Sequence, residues 1–223
     1  MDDSTEQQIL TCWSDNTAPW VKAINNGEIA SRTRITNGAI INAIEPLKVN
    51  SLLDIGCGEG WLVRELTQRG IQAAGIDGSQ GLIAKAQELG PEDYTLLTYQ
   101  QLTAARIARR YDLAVCNFSL LGKESVEQVF RAVPHLLNNN GYFVVQTLHP
   151  ITASQTEPYV DGWRQGNWAG FNKDFKNPAP WYFRTLETWL TFFINAGFTL
   201  RAIQAPPDPT TQKPASLIIT GQL

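Results

Sequence analysis

The residues best suited to chemistry form one compact run, Leu53-Asp54-Ile55-Gly56-Cys57-Gly58-Glu59-Gly60, followed by an acid at Asp77. Glycines at alternate positions permit a tight turn and let the backbone approach a ligand closely. An acid closing the next strand can take both hydroxyls of a ribose through its two oxygens. The spacing separates two nucleotide classes. A dinucleotide fold needs G-x-G-x-x-G, with a diphosphate on the helix N-terminus. Counted from Gly56, the last glycine should fall where Trp61 stands, and counted from Gly58 it falls on Val63. Trp61 is too bulky for a diphosphate at that turn. His149 is the other candidate, because it follows a strand at its carboxyl end and histidine titrates near neutrality. It reads as a general base or as a structural histidine bonded to the backbone.

These residues need an alternating scaffold, and the sequence supplies one. Apolar runs at 51–56, 71–77, 94–99, 111–121 and 142–148 read as strands. Amphipathic stretches from the glycine loop to Gly70, from Ser79 to Gly90, over 101–109 and over 124–137 read as helices, the last kinked by Pro134. Asn138–Gly141 reads as a turn. Such alternation implies βαβ units, a parallel sheet and right-handed crossovers. The expected fold is therefore α/β, with helices on both faces. Ahead of it, residues 4–25 read as helix broken at Pro19, and Ser31 caps a helix running to Ile44 and closed by Pro46. After it, 149–183 shows no clear period. A helix over 184–196, closed by Gly197, and strands at 198–204 and 215–221 around a Pro-rich turn finish the chain as a hairpin. The whole reads as one domain: N-terminal helices over 1–46, a nucleotide-binding core over 47–148, an aromatic insert over 149–183, and a C-terminal helix and hairpin over 184–223.

Eleven of the 22 aromatic residues fall within 159–193. A stretch this long without regular structure is uncommon unless it is functional. It reads as a satellite core, as a lid over a ligand pocket, or as both.

Composition excludes several classes. At 223 residues, 43% hydrophobic and 17% charged, the chain has enough apolar content for a core and is not disordered. A net charge of −3 and scattered lysines and arginines give no basic face for nucleic acid or anionic lipid. Three cysteines without C-x-x-C spacing argue against a disulfide framework and a cysteine zinc site. Two distant histidines without a carboxylate cluster leave no metal site expected. No run reaches the ~20 apolar residues of a membrane span, and no signal peptide is visible, so a cytoplasmic location is expected.

The G-x-G-x-G loop, with an acid two residues ahead and Asp77 after the next strand, resembles motif I of the class I S-adenosylmethionine (SAM) methyltransferases. The resemblance covers about 31–148. Further on, NFSLLGKESVE (117–127), VVQTLHP (144–150) and PWYFRTLETW (180–189) are similar to an uncharacterised group of bacterial class I methyltransferases. The resemblance implies a Rossmann-like, mostly parallel seven-stranded sheet ending in an antiparallel hairpin. It implies SAM as methyl donor, S-adenosylhomocysteine as product, and a small-molecule acceptor, in a monomer or homodimer. It places Gly56, Cys57 and Gly58 along the methionine part and adenosine, with Gly60 and Trp61 completing the turn. Asp54 organises the loop and faces the amino group. Asp77 holds the ribose and Gly78 lies beside the adenine. Thr98 and Tyr99 replace the usual Asp-Ala pair at the adenine. Asn117 and Phe118 lie near the reacting sulfur.

A cation for the SAM carboxylate is sought at Arg32 or Arg34, either of which also reads as a solvated helix face. Tyr159, Trp163, Trp181, Tyr182 and Arg184 are candidates for the substrate wall. Trp13 and Trp20 read as helix packing or as a closure over the site. Two other function classes stay open at this stage. One is an NAD(P)-linked oxidoreductase, disfavoured by Trp61. The other is a non-catalytic SAM-binding or partner-binding domain.

Overall fold

The structure is a computed structural model that describes residues 2–107 and 109–223. Helices α1 (Asp2–Asp15) and α2 (Thr17–Asn25) open the chain. They divide at Asn16 rather than at Pro19. Proline lacks only a donor that the first helical turn leaves free anyway, so Pro19 fits inside the first turn of α2. The next helix starts before Ser31, which makes no side-chain cap. It runs through a π-helical turn (Arg32–Thr36) into α3 (Asn37–Ile44) and a 3₁₀ turn holding Pro46.

Strand β1 (Ser51–Ile55), α4 (Trp61–Gln68), β2 (Gln72–Asp77), α5 (Gln80–Leu89) and β3 (Asp93–Leu96) follow in the expected order. Among the described residues of 101–109 the expected helix is replaced by the end of a 3₁₀ turn (Tyr99–Gln101), a turn at 104–106 and bends. Strand β4 (Tyr111–Asn117) leads to α6 (Glu124–Leu136), which tolerates Pro134 in its final turns. The asparagine run does not end the strand pairing. It lies inside a long β5 (Leu137–Thr147), as an irregularity between the pairs Tyr111–Leu137 and Leu113–Tyr142. Asn140 takes the left-handed conformation there, which asparagine tolerates.

The insert has regular structure that its aromatic texture concealed. It holds a short helix α7 (Pro150–Ser154) and a separate antiparallel pair, β6 (Gly162–Arg164) with β7 (Trp181–Phe183). Helix α8 (Leu186–Asn195) and the hairpin β8 (Thr199–Gln204) and β9 (Leu217–Gln222) complete the chain.

The seven-stranded sheet has the order β3-β2-β1-β4-β5-β9-β8. Strands β1 to β5 are parallel, and β9 pairs antiparallel to both β5 and β8. Alternate residues face opposite layers. Leu53, Ile55, Phe143 and Val145 pack with α6 and α8, while Leu52, Val115 and Val144 pack with α3, α4 and α5. Winding reverses between β1 and β4. Open α/β sheets leave a crevice at such a reversal, outside the strands' carboxyl ends. Asp54, the glycine loop and Asn117 all sit there.

Candidate active site

The loop after β1 is tied down by its backbone. Gly56 N–H and Cys57 N–H both donate to the Ile76 carbonyl, at 2.7 and 3.0 Å. Gly56 has φ +81°, and a Cβ on it would run into the Ser119 side chain and the Tyr99 hydroxyl. Gly60, at φ +83°, caps α4, and a Cβ there would lie 2.5 Å from the Tyr94 hydroxyl. Behind the loop, Ser119 Oγ donates to the Ile55 carbonyl (2.7 Å) and Tyr99 Oη donates to the Ser119 carbonyl (3.1 Å). The glycines thus let the turn sit against a hydrogen-bonded wall. Gly58 faces the open side.

Asp77 closes β2 with both carboxylate oxygens engaged. Oδ2 accepts from Gly58 N–H (2.9 Å) and Oδ1 from Ser79 N–H (2.8 Å). Burial raises its pKa against the lowering effect of those two bonds. Asp54 is 2% exposed and its Oδ1 has no partner. Burial, and then the charges of Asp77 and Glu59, push its pKa well above the usual carboxylate range, opposed by Arg32. Glu59 is 1% exposed. Its Oε2 accepts from Trp20 Nε1 (3.1 Å), and its Oε1 has no hydrogen bond. Arg32 lies between two indoles, 5.3 Å from the Trp20 ring and 5.0 Å from the Trp61 ring, with Nη2 unpartnered. Burial lowers its pKa.

Glu59 and Asp54 act on the Arg32 guanidinium through space, Glu59 Oε1 also lies 3.9 Å from Arg64 Nη2, and several of these buried polar atoms have no hydrogen-bond partner. Such groups are costly to bury unless something satisfies them. They border a cleft of about 950 Å³, counted out to its mouth. Its other walls include Leu10 and Trp13 of α1, Trp20 of α2, Leu82, Thr98 and Tyr99, with one further acid, Glu6 of α1. Asn117 and Phe118 lie at the end of β4, where Asn117 Oδ1 is buried without a partner. Phe118 takes φ +56° and donates its N–H to the Gln146 carbonyl at 2.8 Å.

Of the residues expected at a cofactor, Arg32, Gly56, Cys57, Gly58, Trp61, Asp77, Gly78, Thr98, Tyr99, Asn117 and Phe118 line this cleft. Asp54 and Gly60 stand outside that lining, Asp54 next to it in β1 and Gly60 beneath α4. Arg34 is a correction. It points to the surface, toward Thr210 and Asp208, because the π-helical turn puts Arg32 rather than Arg34 on the inner face. His149 is outside the lining too. It is buried, with Nδ1 unpartnered, and burial depresses its pKa.

Trp181, Tyr182 and Arg184 line a second, smaller pocket, whereas Tyr159 and Trp163 line neither. Tyr159 Oη instead accepts from Leu186 N–H at the start of α8 (2.9 Å). Sequence reasoning missed Glu59 and Glu6. Glu59 was visible inside the glycine run. Glu6 Oε1 accepts from Lys123 N–H (2.6 Å) at the start of α6, a contact spanning 117 positions that no local signal announces.

The aromatic insert packs against the N-terminal helices. Trp168 packs on Trp13 (6.0 Å) and Phe171 on Trp20 (6.4 Å), joining insert and N-terminal helices into one cluster above the cleft. Asn16 fixes it through two bonds with the Lys176 backbone, at 2.8 and 2.9 Å.

Residues 31–203 match the methyltransferase domain family. The chain belongs to that family. A ubiquinone biosynthesis O-methyltransferase of Azorhizobium caulinodans is 34% identical over 115 residues, 50% of this chain and 46% of that protein. The match thus spans about half of that relative's length. An S-adenosylmethionine-dependent methyltransferase of Mesorhizobium loti is similar in structure, with a TM-score of 0.63 and 24% identity, over 82% of this chain and 96% of its own. One from Clostridium acetobutylicum has a TM-score of 0.69 and 15% identity, over 92% and 98%. These likenesses confirm the fold of this methyltransferase, including its antiparallel C-terminal pair.

Proposed function

We propose that this methyltransferase transfers a methyl group to a small molecule held beside the β4 end of the cleft. The observation that carries the reading is the set of buried, partly unpartnered charges around the glycine loop. SAM has a sulfonium, an ammonium and one carboxylate. The three acids outnumber Arg32 and Arg64 in the sense that such a net cation requires. Arg32, flattened between two indoles, takes the carboxylate. Asp54 and Glu59 hold the ammonium side. Asp77 accepts from the ribose hydroxyls, and Gly78, Thr98 and the Tyr99 backbone border the adenine. Trp61 starts α4 and is already stacked on Arg32, which leaves no room for a dinucleotide's diphosphate.

When bound, SAM supplies an electrophilic methyl on a sulfonium. The chain's part is to align an acceptor and exclude water. Trp13, Trp20 and the insert roof the cleft, and Asn117 and Phe118 set its far wall. His149 is the candidate base for a hydroxyl or carbon acceptor. Its burial keeps it neutral near pH 7, and its neighbours Leu148 and Pro150 line the adjoining pocket. The three buried free cysteines favour a reducing compartment, the cytoplasm. The low basic charge favours a small-molecule acceptor over nucleic acid.

Calorimetry tests the cofactor site. The wild type binds SAM and S-adenosylhomocysteine but not NADH. Asp77→Ala loses at least tenfold in affinity, since a bond to a charged group contributes about 1.5–3 kcal/mol. Absence of SAM binding overturns the reading. For His149, turnover of His149→Ala is measured across pH; an unchanged profile makes His149 structural.

A further inference from the structure

Next to the cofactor cleft lies a narrow recess, about 290 Å³ only when counted out into open solvent, with room for little more than a water among its side chains as they stand, so a ligand enters by displacing them. Its walls include Leu121, Thr147, Leu148, Trp181, Tyr182 and Arg184. Leu121 also lines the cofactor cleft, so the two spaces adjoin there. Tyr182 N–H donates to the Leu121 carbonyl at 2.8 Å, which ties β7 of the insert to the loop after β4.

Arg184 is the unusual member. It is 2% exposed, yet Nη1 has no partner, and Nη2 donates only to the Lys123 carbonyl at 3.0 Å. Its guanidinium lies 4.8 Å from the Tyr182 ring, 5.3 Å from Trp189 and 5.4 Å from Phe192. Asp161, Glu127 and Glu6 act on it through space, without a hydrogen bond. Burial brings its pKa down to about 10, so it keeps its charge near neutrality. Two more polar atoms near this pocket are buried and unpartnered. One is Trp163 Nε1, whose ring meets Tyr182 edge-on at 5.4 Å. The other is His149 Nδ1, between the pocket residues Leu148 and Pro150.

A guanidinium and an indole N–H can only donate. What the site lacks is an acceptor, and a buried cation makes a negatively charged acceptor the favoured one. A guanidinium fork matches a planar carboxylate. An aromatic wall beside it suits a flat substrate body.

We propose that this pocket is the acceptor subsite and that it selects a small acid, its carboxylate held by Arg184 and its nucleophile directed past Leu121 toward the cofactor cleft. The inference rests on the reading of that cleft as the SAM site. It adds the substrate class.

The test uses wild type, Arg184→Met and Arg184→Lys, each saturated with S-adenosylhomocysteine. The probes are 4-hydroxybenzoate and its neutral counterpart 4-hydroxybenzamide, measured by calorimetry and thermal shift. Wild type should bind the acid at least tenfold more tightly than the amide. Arg184→Met should lose that preference, and Arg184→Lys should keep part of it. All three should bind SAM within about twofold of one another, and the ligand-free Arg184→Met should melt no lower than wild type.

Equal binding of acid and amide, no binding of either, or an Arg184→Met variant that still prefers the acid overturns the proposal. So does an Arg184→Met variant that melts well below wild type, which makes the arginine structural. Should Arg184→Met fail to fold, that same conclusion stands unless Arg184→Lys folds and shows the partial preference. If the wild type fails to bind SAM, the cofactor reading falls. If SAM binds but acid and amide are alike, only the acidic acceptor falls.

Discussion

Gly56 has no space for a methyl group, because Ser119 and Tyr99 occupy the place a Cβ would take, and its φ of +81° disfavours any side chain. Gly56→Ala should therefore lose measurable SAM binding and lower the melting temperature. A left-handed non-glycine residue alone costs about 1–3 kcal/mol, and the clash adds to it. Wild-type affinity in that variant would refute the loop geometry. The buried acids give a second consequence. In the ligand-free fold, burial raises the pKa values of Asp54 and Asp77 above their unfolded values. Their contribution to stability is then fully present below the unfolded carboxylate pKa of about 4 and is lost as pH rises through the folded values. A bound cation favours their ionised forms and reverses this. SAM binding should therefore release protons. Calorimetric heats in phosphate and Tris should differ accordingly, and identical heats would contradict it.

At the scale of elements, contacts distant in sequence tie the N-terminal helices to the rest of the molecule. Glu6 of α1 caps α6, accepting from Lys123 N–H at 2.6 Å. Removing a capping side chain costs about 1 kcal/mol, so Glu6→Ala should lower the unfolding free energy by that amount, read as a lower urea midpoint at unchanged slope. No shift would leave the contact without energetic weight. Trp20 of α2 donates to Glu59 at 3.1 Å and stacks on Arg32. Trp20→Phe keeps a ring and deletes the N–H. Losing one hydrogen bond of about 1 kcal/mol should raise the SAM Kd roughly fivefold, mostly through faster release seen in stopped-flow displacement. An unchanged off-rate would detach α2 from cofactor retention.

For the whole molecule, a ligand that binds only the folded state stabilises it by mass action, about 2.7 kcal/mol at one hundred times its Kd. Saturating S-adenosylhomocysteine should raise the melting temperature and slow hydrogen exchange in α1 and α2, whose side chains line the cleft; NADH should do neither. Exchange in the two helices that ignores the cofactor would show that they do not form its lid. Among the described residues no helix is long and apolar enough to cross a membrane. Much of this arrangement is written locally. The order of β1 to β5, the glycine turn and Asp77 follow from short-range periodicity and from residues that only a tight turn accepts. The helix expected over 101–109 does not form among its described residues, although Leu102 is buried in the core and Ile107 packs against it. The asparagine turn disappeared into β5 because pairing with β4 overrode its local preference. Tertiary structure alone chose Arg32 over Arg34, since a π-helical turn rotates one inward and leaves the other at the surface. It likewise brought Glu6 to α6, Trp20 to Glu59, and Arg184 into a pocket where no acid hydrogen-bonds to it. Local sequence encodes the period of an element and the conformation of a turn; which side chains meet across a hundred residues is decided only when the faces pack.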